Sequence, residues 1–275
     1  MFRDQSIGFI GGGNMAEALI RGLISASLFS AERVFAFDVL YSRLEYLKKE
    51  FAIHGSKDIA ELARSSSIIV LAVKPQSISD VLDTLSGHLL HKPLILSIAA
   101  GVALGTLEKR LPEKTAIVRV MPNAPALVQQ AASALSRGRA VSQDQMEMSL
   151  ALFRAVGKAV EIDEKLMNAV TGLSGSGPAY VLLMIEALID SGVLMGLPRQ
   201  AAKELVVQTV AGTCRLLETS GKHPAELRDV VTSPGGTTIH GLQVLESYST
   251  RAAFMECVEA ATKRSEELGK HQDAK

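Results

Sequence analysis

Ile7-Gly8-Phe9-Ile10-Gly11-Gly12-Gly13-Asn14-Met15-Ala16 sets a short apolar run, three consecutive glycines and the first turn of a helical pattern end to end. The run has the apolar continuity of a strand buried on both faces. After it, Leu19, Ile20, Leu23 and Ile24 recur at helical spacing between Asn14 and Ser25. The turn between the two reads Gly11-x-Gly13-x-x-Ala16. In that order the first glycine allows a tight turn, the second lets the backbone approach a diphosphate, and the small third residue brings helix and strand close. The amides at the helix N-terminus then face the anion. A glycine-rich βα turn that binds nothing is the alternative; strand, loop and helix all falling in place favour a dinucleotide.

Outward from this unit the pattern repeats. Strands are expected at Arg33–Phe37, Ser67–Val73, Pro93–Ala99, Thr115–Met121, Ala132–Ser136 and Lys158–Ile162, and helices at Ser42–Phe51 and Gln143–Val156. Alternation of this kind up to about Asp163 predicts βαβ units in a mostly parallel sheet. After Glu164 the texture becomes all helical, with helices expected at Leu166–Val170, Pro178–Leu194, Pro198–Glu218, Pro224–Val231, Thr237–Leu245 and Thr250–Leu268. Pro178, Pro198 and Pro224 stand at first-turn positions, and Gly196 and Gly221 close the helices before them. The sequence therefore predicts an α/β fold. An N-terminal Rossmann dinucleotide-binding domain (residues 1–163) is followed, without a flexible linker, by an all-α domain (residues 164–275) whose polar tail from Gly269 frays. Val181–Leu188 and Leu205–Leu217 are apolar on more than one face, which points to oligomerisation.

Composition narrows the partners. Among 275 residues, 29 Lys and Arg balance 29 Asp and Glu, so the basic excess that a nucleic-acid clamp needs is missing. With 47% apolar and 21% charged residues the chain can bury a core, and disorder is excluded. Cys214 and Cys257 have neither disulfide-framework nor metal-ligand spacing, so no metal site is expected and a reducing cytoplasm fits. No apolar stretch is expected to reach the roughly 18 residues of a membrane span. The longest candidate, Leu94–Leu104, is broken by Ser97 and Gly101, and no membrane association is expected.

Several residues carry chemistry. Asp38 directly follows Val34-Phe35-Ala36-Phe37, where a carboxylate accepts from an adenosine 2′-hydroxyl and repels a 2′-phosphate. That tilts the cofactor toward NADH, although Arg43 is close enough to complicate the preference. Asp38 could instead cap the helix from Ser42. Val73, Lys74 and Pro75, like Ala99 and Ala100, end predicted strands and so could line a nicotinamide; Lys74 reads equally as a solvated charge. Asn123, between Pro122 and Pro125, offers an amide to a nicotinamide carboxamide or to its own turn backbone. Gly172–Tyr180 packs glycines and serines before a long apolar helix, a composition for close backbone approach or helix crossing. In Val231–His240, Ser233, Gly235, Gly236, Thr237 and Thr238 form an anion cradle of hydroxyls and amides able to hold a carboxylate without a cation. Its plain alternative is a turn with Thr237 as N-cap. His240 falls inside a predicted helix and reads as packed or solvated rather than as a proton donor.

Taken together, Ile10–Ala16, Ala72-Val73-Lys74-Pro75, Met121–Pro125, Gly172–Tyr180 and Val231–Thr238 resemble the pyrroline-5-carboxylate reductase family over nearly the whole chain. The most specific element is Ser233–Thr238 followed by Leu242, Leu245 and Glu246. The resemblance implies NAD(P)H-dependent reduction of L-1-pyrroline-5-carboxylate to L-proline and a C-terminal domain that interlocks in a homodimer, with pentamers of dimers forming a decamer. It implies that Gly11, Gly12, Gly13, Asn14 and Met15 hold the pyrophosphate, that Lys74 and Pro75 lie near the nicotinamide, and that Asn123 is at its reactive end. The substrate carboxylate falls to the Ser233–Thr238 segment, with Thr238 reaching the imine nitrogen as the catalytic contact. NADPH-preferring members usually carry small polar residues where Asp38 stands, so either NADPH or NADH is implied. Other readings are a reductase of another cyclic imine, a hydroxyacid dehydrogenase of the same plan, which normally relies on a helix-borne lysine that is not placed in the glycine-rich start of the α-domain here, and a cofactor-sensing homologue without turnover.

Overall fold

The computed structural model describes residues 2, 4–89 and 91–273, with only the backbone course given for 270–273. Eight strands form one sheet: β1 (Ile7–Ile10), β2 (Val34–Phe37), β3 (His54–Gly55), β4 (Ile68–Leu71), β5 (Leu94–Ser97), β6 (Ile117–Met121), β7 (Ala131–Arg137) and β8 (Gly157–Glu161). Their spatial order is β3-β2-β1-β4-β5-β6-β7-β8. From β3 to β6 all neighbours are parallel; β7 is antiparallel to β6, and β8 is parallel to β7. The order reverses between β1 and β4, and open sheets of this kind bind ligands at the strand ends beside such a reversal.

Alternating side chains build two cores. Ile7, Phe9, Ile68, Val70, Leu94 and Leu96 pack on one face with the helices α1 (Asn14–Ser25) and α6 (Gln143–Arg154). Ile10, Ile69, Leu71 and Ile95 point the other way, against α3 (Ile59–Ser65), α4 (Ile78–Ser86) and α5 (Leu104–Arg110). Each fully buried Leu or Ile contributes about 1.5–3 kcal/mol, so the two faces together clamp the sheet. The remaining crossover, α2 (Tyr41–Phe51), follows β2. The expected strands are all present, one or two residues shorter or longer at their ends; Arg33, for example, belongs to a 3-10 turn before β2. β3 and the short helices α3 to α5 were not among the sequence expectations.

The helical part begins with α7 (Met167–Val170) and a π-helical turn, Thr171–Gly175, followed by α8 (Gly177–Leu194), α9 (Arg199–Ser220), α10 (Pro224–Val230), α11 (Thr237–Ser247) and α12 (Thr250–Asp273). Gly196 and Gly221 take φ of +93° and +63° at the helix ends where the sequence placed them. The last helix continues to Asp273 rather than fraying from Gly269, and residues 274 and 275 lie outside the described residues.

Contacts divide the chain into one unit that runs through Ser176 and includes the last helix from Glu259, and a second unit, Gly177–Val258. The sequence drew its division at 163/164. The reason for the difference is polar stitching inside the first unit. Glu164 Oε1 accepts from the Leu104 amide at 2.5 Å and from Arg119 Nη1 at 3.2 Å, and Ser265 Oγ donates to Asn168 Oδ1 at 2.9 Å. The run Glu164–Leu194 is long and apolar enough, by length and composition, to cross a membrane. That corrects the expectation that no stretch reaches this length. Counting apolar residues misses it because glycines, serines, Thr171, Glu186 and Asp190 break the run into short pieces.

Candidate active site

Gly11 leaves β1 at φ +97°, and a Cβ there would stand 2.5 Å from the Ala72 carbonyl oxygen, so the turn admits only glycine. Its amide donates to Phe37 O at 2.8 Å, tying the turn to β2. Gly13 is the N-cap of α1 and brings no side-chain cap. A Cβ on Gly13 would meet nothing within 4 Å, so there is open room directly before the first-turn amides of Asn14, Met15 and Ala16, which no helix can satisfy internally. Open space, aligned donors and a positive helix end fit a diphosphate.

Asp38 is fixed beside this turn. Its Oδ2 accepts the Gly12 amide at 2.6 Å and its Oδ1 the Leu40 amide at 2.8 Å, which leaves further lone pairs on both oxygens. Because α2 starts at Tyr41 with Leu40 as N-cap, Asp38 closes the turn before the helix and does not cap the helix itself. It borders two cavities: one of about 350 Å³ shared with Gly11, Val73, Ser77 and Thr84, and one of about 610 Å³ shared with Tyr41, Lys48, Ser56 and Lys57.

Arg43, the cation that complicated the sequence reading, is already engaged. Its Nε donates to Gly12 O, its Nη2 meets Glu17 Oε2 at 2.5 Å, and its guanidinium carbon lies 4.8 Å from the Tyr46 ring centroid. Glu17 Oε1 also accepts from Arg21 and from the Tyr46 hydroxyl, each at 3.1 Å. Burial pushes the Glu17 carboxyl up, but hydrogen bonds from Arg43, Arg21 and Tyr46 together outweigh it and hold the group below its ordinary value. Sequence reasoning missed Glu17. Its only local signal is the i, i+4 spacing to Arg21 on α1.

Around the other strand ends, Val73 lines the smaller cavity, and Lys74 is exposed, with its carbonyl accepting from Ser77 at 2.9 Å. Pro75 begins the 3-10 turn Pro75–Ser77. Ala99 is buried and Ala100 exposed, just before Gly101 at φ +75°. Asn123 bonds backbone groups outside its own turn. It is only 9% exposed, its Nδ2 donates to Ser174 O at 3.0 Å, and its Oδ1 accepts the Ala132 amide at 2.9 Å. The amide thus braces the π-turn against the start of β7 with one N–H and one lone pair, and its second N–H has no part in these two bonds. In the Gly172–Tyr180 motif, a Cβ on Gly175 would lie 2.7 Å from Met121 Cε, the flexible end of that side chain, and one on Gly177 would meet nothing within 4 Å.

The second loop lies in the Gly177–Val258 unit. Ser233 O accepts the Gly236 amide at 3.0 Å across Pro234 and Gly235, and Gly235 has φ +67°, the pattern of a type II turn. Gly236, not Thr237, is the N-cap of α11, and a Cβ on it would come within 2.3 Å of Ser233 Oγ. Gly235 thus suits the turn by its dihedral, and Gly236 lets the Ser233 hydroxyl lie close to the helix start. Thr237 and Thr238 occupy the exposed first turn, so their amides and hydroxyls and the Ser233 hydroxyl form a donor-rich surface without a cationic side chain. His240 Nδ1 lies 2.9 Å from Gly236 O, folded back on its own helix.

Comparison with known proteins follows this geometry. Residues 164–268 match the family model described as pyrroline-5-carboxylate reductase dimerisation, and residues 6–101 the one described as NADP oxidoreductase, coenzyme F420-dependent. The pyrroline-5-carboxylate reductase of Synechocystis sp. is 48% identical over 264 residues, covering 96% of this chain and 98% of that protein. The chain belongs to the pyrroline-5-carboxylate reductase family. Among solved pyrroline-5-carboxylate reductases, the Coxiella burnetii structure aligns with a TM-score of 0.92 at 36% identity, covering 96% of this chain and 98% of that one. The Plasmodium falciparum structure, which has NADP bound, aligns at 0.87 and 36% identity over 98% and 100%. The first family model spans the Ser233–Thr238 turn, and the second spans the Gly11–Gly13 turn and Asp38.

Proposed function

We propose that this pyrroline-5-carboxylate reductase holds its dinucleotide with Gly11, Gly12, Gly13, Asn14, Met15 and Asp38 and its substrate with Ser233, Gly235, Gly236, Thr237 and Thr238. The activity is the NAD(P)H-dependent reduction of L-1-pyrroline-5-carboxylate to L-proline, the last step of proline biosynthesis. When bound, the reduced nicotinamide supplies the hydride that reduces the C5 imine carbon. Everything else is positioning by the chain. The first-turn amides of α1 hold the diphosphate, and Val73 with the backbone at Lys74, Pro75, Ala99 and Ala100 gives the nicotinamide half its walls. The amides and hydroxyls at the start of α11 take the ring carboxylate, and the Thr238 hydroxyl bonds the ring nitrogen. A cyclic imine enters as its iminium, so no strong acid is required of the protein.

Asp38 favours NADH, because it can accept from a ribose hydroxyl and repels a 2′-phosphate. We place the chain in a homodimer in a reducing cytoplasm, in keeping with the free cysteines Cys214 and Cys257. The observation that carries the substrate assignment is the Ser233–Gly236 turn. It brings Ser233 to a helix start that no side chain caps, leaving the first-turn amides of α11 open beside the Ser233, Thr237 and Thr238 hydroxyls. The test mixes purified protein with pyrroline-5-carboxylate and either NADH or NADPH and follows loss of the reduced-cofactor absorbance. A higher kcat/KM with NADH is expected. A higher value with NADPH overturns the assignment of Asp38, and silence with both overturns the site as a whole.

A further inference from the structure

We propose that Glu17 sets the enzyme's choice of dinucleotide by holding the Arg43 guanidinium against the glycine turn, so that the arginine is withheld from the adenosine ribose at Asp38. The proposal rests on the reading of Asp38 as the ribose partner and adds the device that keeps that carboxylate unopposed.

Asp38 and Arg43 grip the same residue from opposite ends. The Gly12 amide donates to Asp38 Oδ2, and the Gly12 carbonyl accepts from Arg43 Nε. A Cβ placed on Gly12 would lie 3.3 Å from Asp38 Oδ2 and 3.4 Å from Arg43 Cγ, so the two side chains flank one glycine. An arginine so near the end of β2 is the residue type suited to a 2′-phosphate, since its planar fork offers two parallel N–H groups. Here the fork is occupied elsewhere. Glu17 takes one arm, and Tyr46 stacks on the face while its hydroxyl braces the same carboxylate. The side chains of Arg43 and Glu17 are 23% and 17% exposed, sheltered enough for a charge-assisted contact to hold in physiological salt. Two other cations border the larger cavity beside Asp38. Lys48 is paired with Glu45 at 2.7 Å, and Lys57 donates its backbone amide to Glu61 while its side chain faces solvent.

Neutralising Glu17 removes the charge that retains Arg43 but keeps the side-chain volume. Arg43 then gains a competing anionic partner whenever a 2′-phosphate is offered. The test is calorimetric and uses nucleotide fragments, 2′,5′-ADP and 5′-ADP, as probes, so it needs no turnover. In Glu17→Gln the affinity for 2′,5′-ADP relative to 5′-ADP should rise about tenfold, and in Glu17→Gln with Asp38→Ser about a hundredfold. Adding Arg43→Met to Glu17→Gln should return the ratio to the wild-type value, which identifies the arginine as the agent.

A merely structural role for Glu17 would weaken both probes together and leave the ratio alone, which overturns the proposal. A gain that survives Arg43→Met also overturns it, and assigns the phosphate to a lysine such as Lys57. If Asp38→Ser raises the ratio and Glu17→Gln does not, the proposal fails and the reading of Asp38 stands. If neither substitution moves the ratio, that reading fails too.

Discussion

Two side chains in the first turns of different helices, Thr238 of α11 and Glu17 of α1, are asked for different kinds of work. Thr238 stands in the first turn of α11 with its hydroxyl in solvent in the isolated chain, and a hydroxyl is too weak an acid to be an indispensable proton source. Its worth is geometric, so Thr238→Ala should slow turnover by about 10–100-fold, roughly 1.4–2.7 kcal/mol, without abolishing it. Steady-state rates with pyrroline-5-carboxylate check this, and full retention of rate removes Thr238 from the mechanism. Glu17 makes its prediction through pH. Its carboxyl is held below the ordinary 4.5, burial opposing and three hydrogen bonds outweighing, so the folded state favours the charged form. The stabilisation is therefore complete above the unfolded value and is lost as pH falls through the folded one. Glu17→Gln should be less stable than wild type in urea at pH 7, and the difference should close in acid once the folded carboxyl is protonated. An equal gap at both pH values would mean that volume, not charge, is what Glu17 contributes.

Elements show how far local pattern reaches. The strand Ile7–Ile10 and the helix Asn14–Ser25 form where the sequence places them, because apolar period, glycine turn and helix start all lie within 19 residues and agree. The short helices α3 and α5, seven residues each, carry too few turns for a periodic signal. Asn123 was legible as a loop residue but not in its task, because its partners are 51 and 9 residues away. The link of Glu17 to Arg43, 26 residues apart, was hidden for the same reason. The motif Gly172–Tyr180 showed its small residues, but not the neighbour of Gly175, Met121, which lies more than 50 residues away. The bracing by Asn123 is testable: Asn123→Ala removes the bonds to the half-buried Ser174 carbonyl and to the amide of exposed Ala132, at a cost of about 1–2 kcal/mol. Denaturant unfolding should show that loss, whereas the NADH affinity of the folded fraction should hold. A stable variant with poor NADH binding would return Asn123 to the cofactor.

At the scale of the whole chain, the two parts solve the burial problem differently. The sheet unit covers both its faces from its own sequence, whereas among residues 177–258 only Ala202 is buried in the isolated chain. None of the 18 residues of α8 is buried, and Leu182, Leu183 and Leu194 are 64%, 68% and 79% exposed. A continuous apolar surface of this kind does not stay in water. The same property gives the Glu164–Leu194 run its membrane-like composition, and the dimerisation model covering residues 164–268 assigns the surface to protein contact. The sequence read this correctly in Val181–Leu188 and Leu205–Leu217, since apolarity all round a helix is visible in one dimension, although the cover it demands is not. If a second copy supplies that cover, folding of the helical part is linked to association. Each tenfold dilution should then remove about 1.4 kcal/mol from the assembly's stability, and the melting temperature should fall with concentration. Leu183→Lys sets a charge on the exposed face without touching either ligand turn. It should shift the mass seen by light scattering toward the 29.3 kDa of one chain and lower the melting temperature in parallel. A wild-type protein that scatters as a single chain and melts at the same temperature at every concentration would sever the link, and the apolar face would then need another cover.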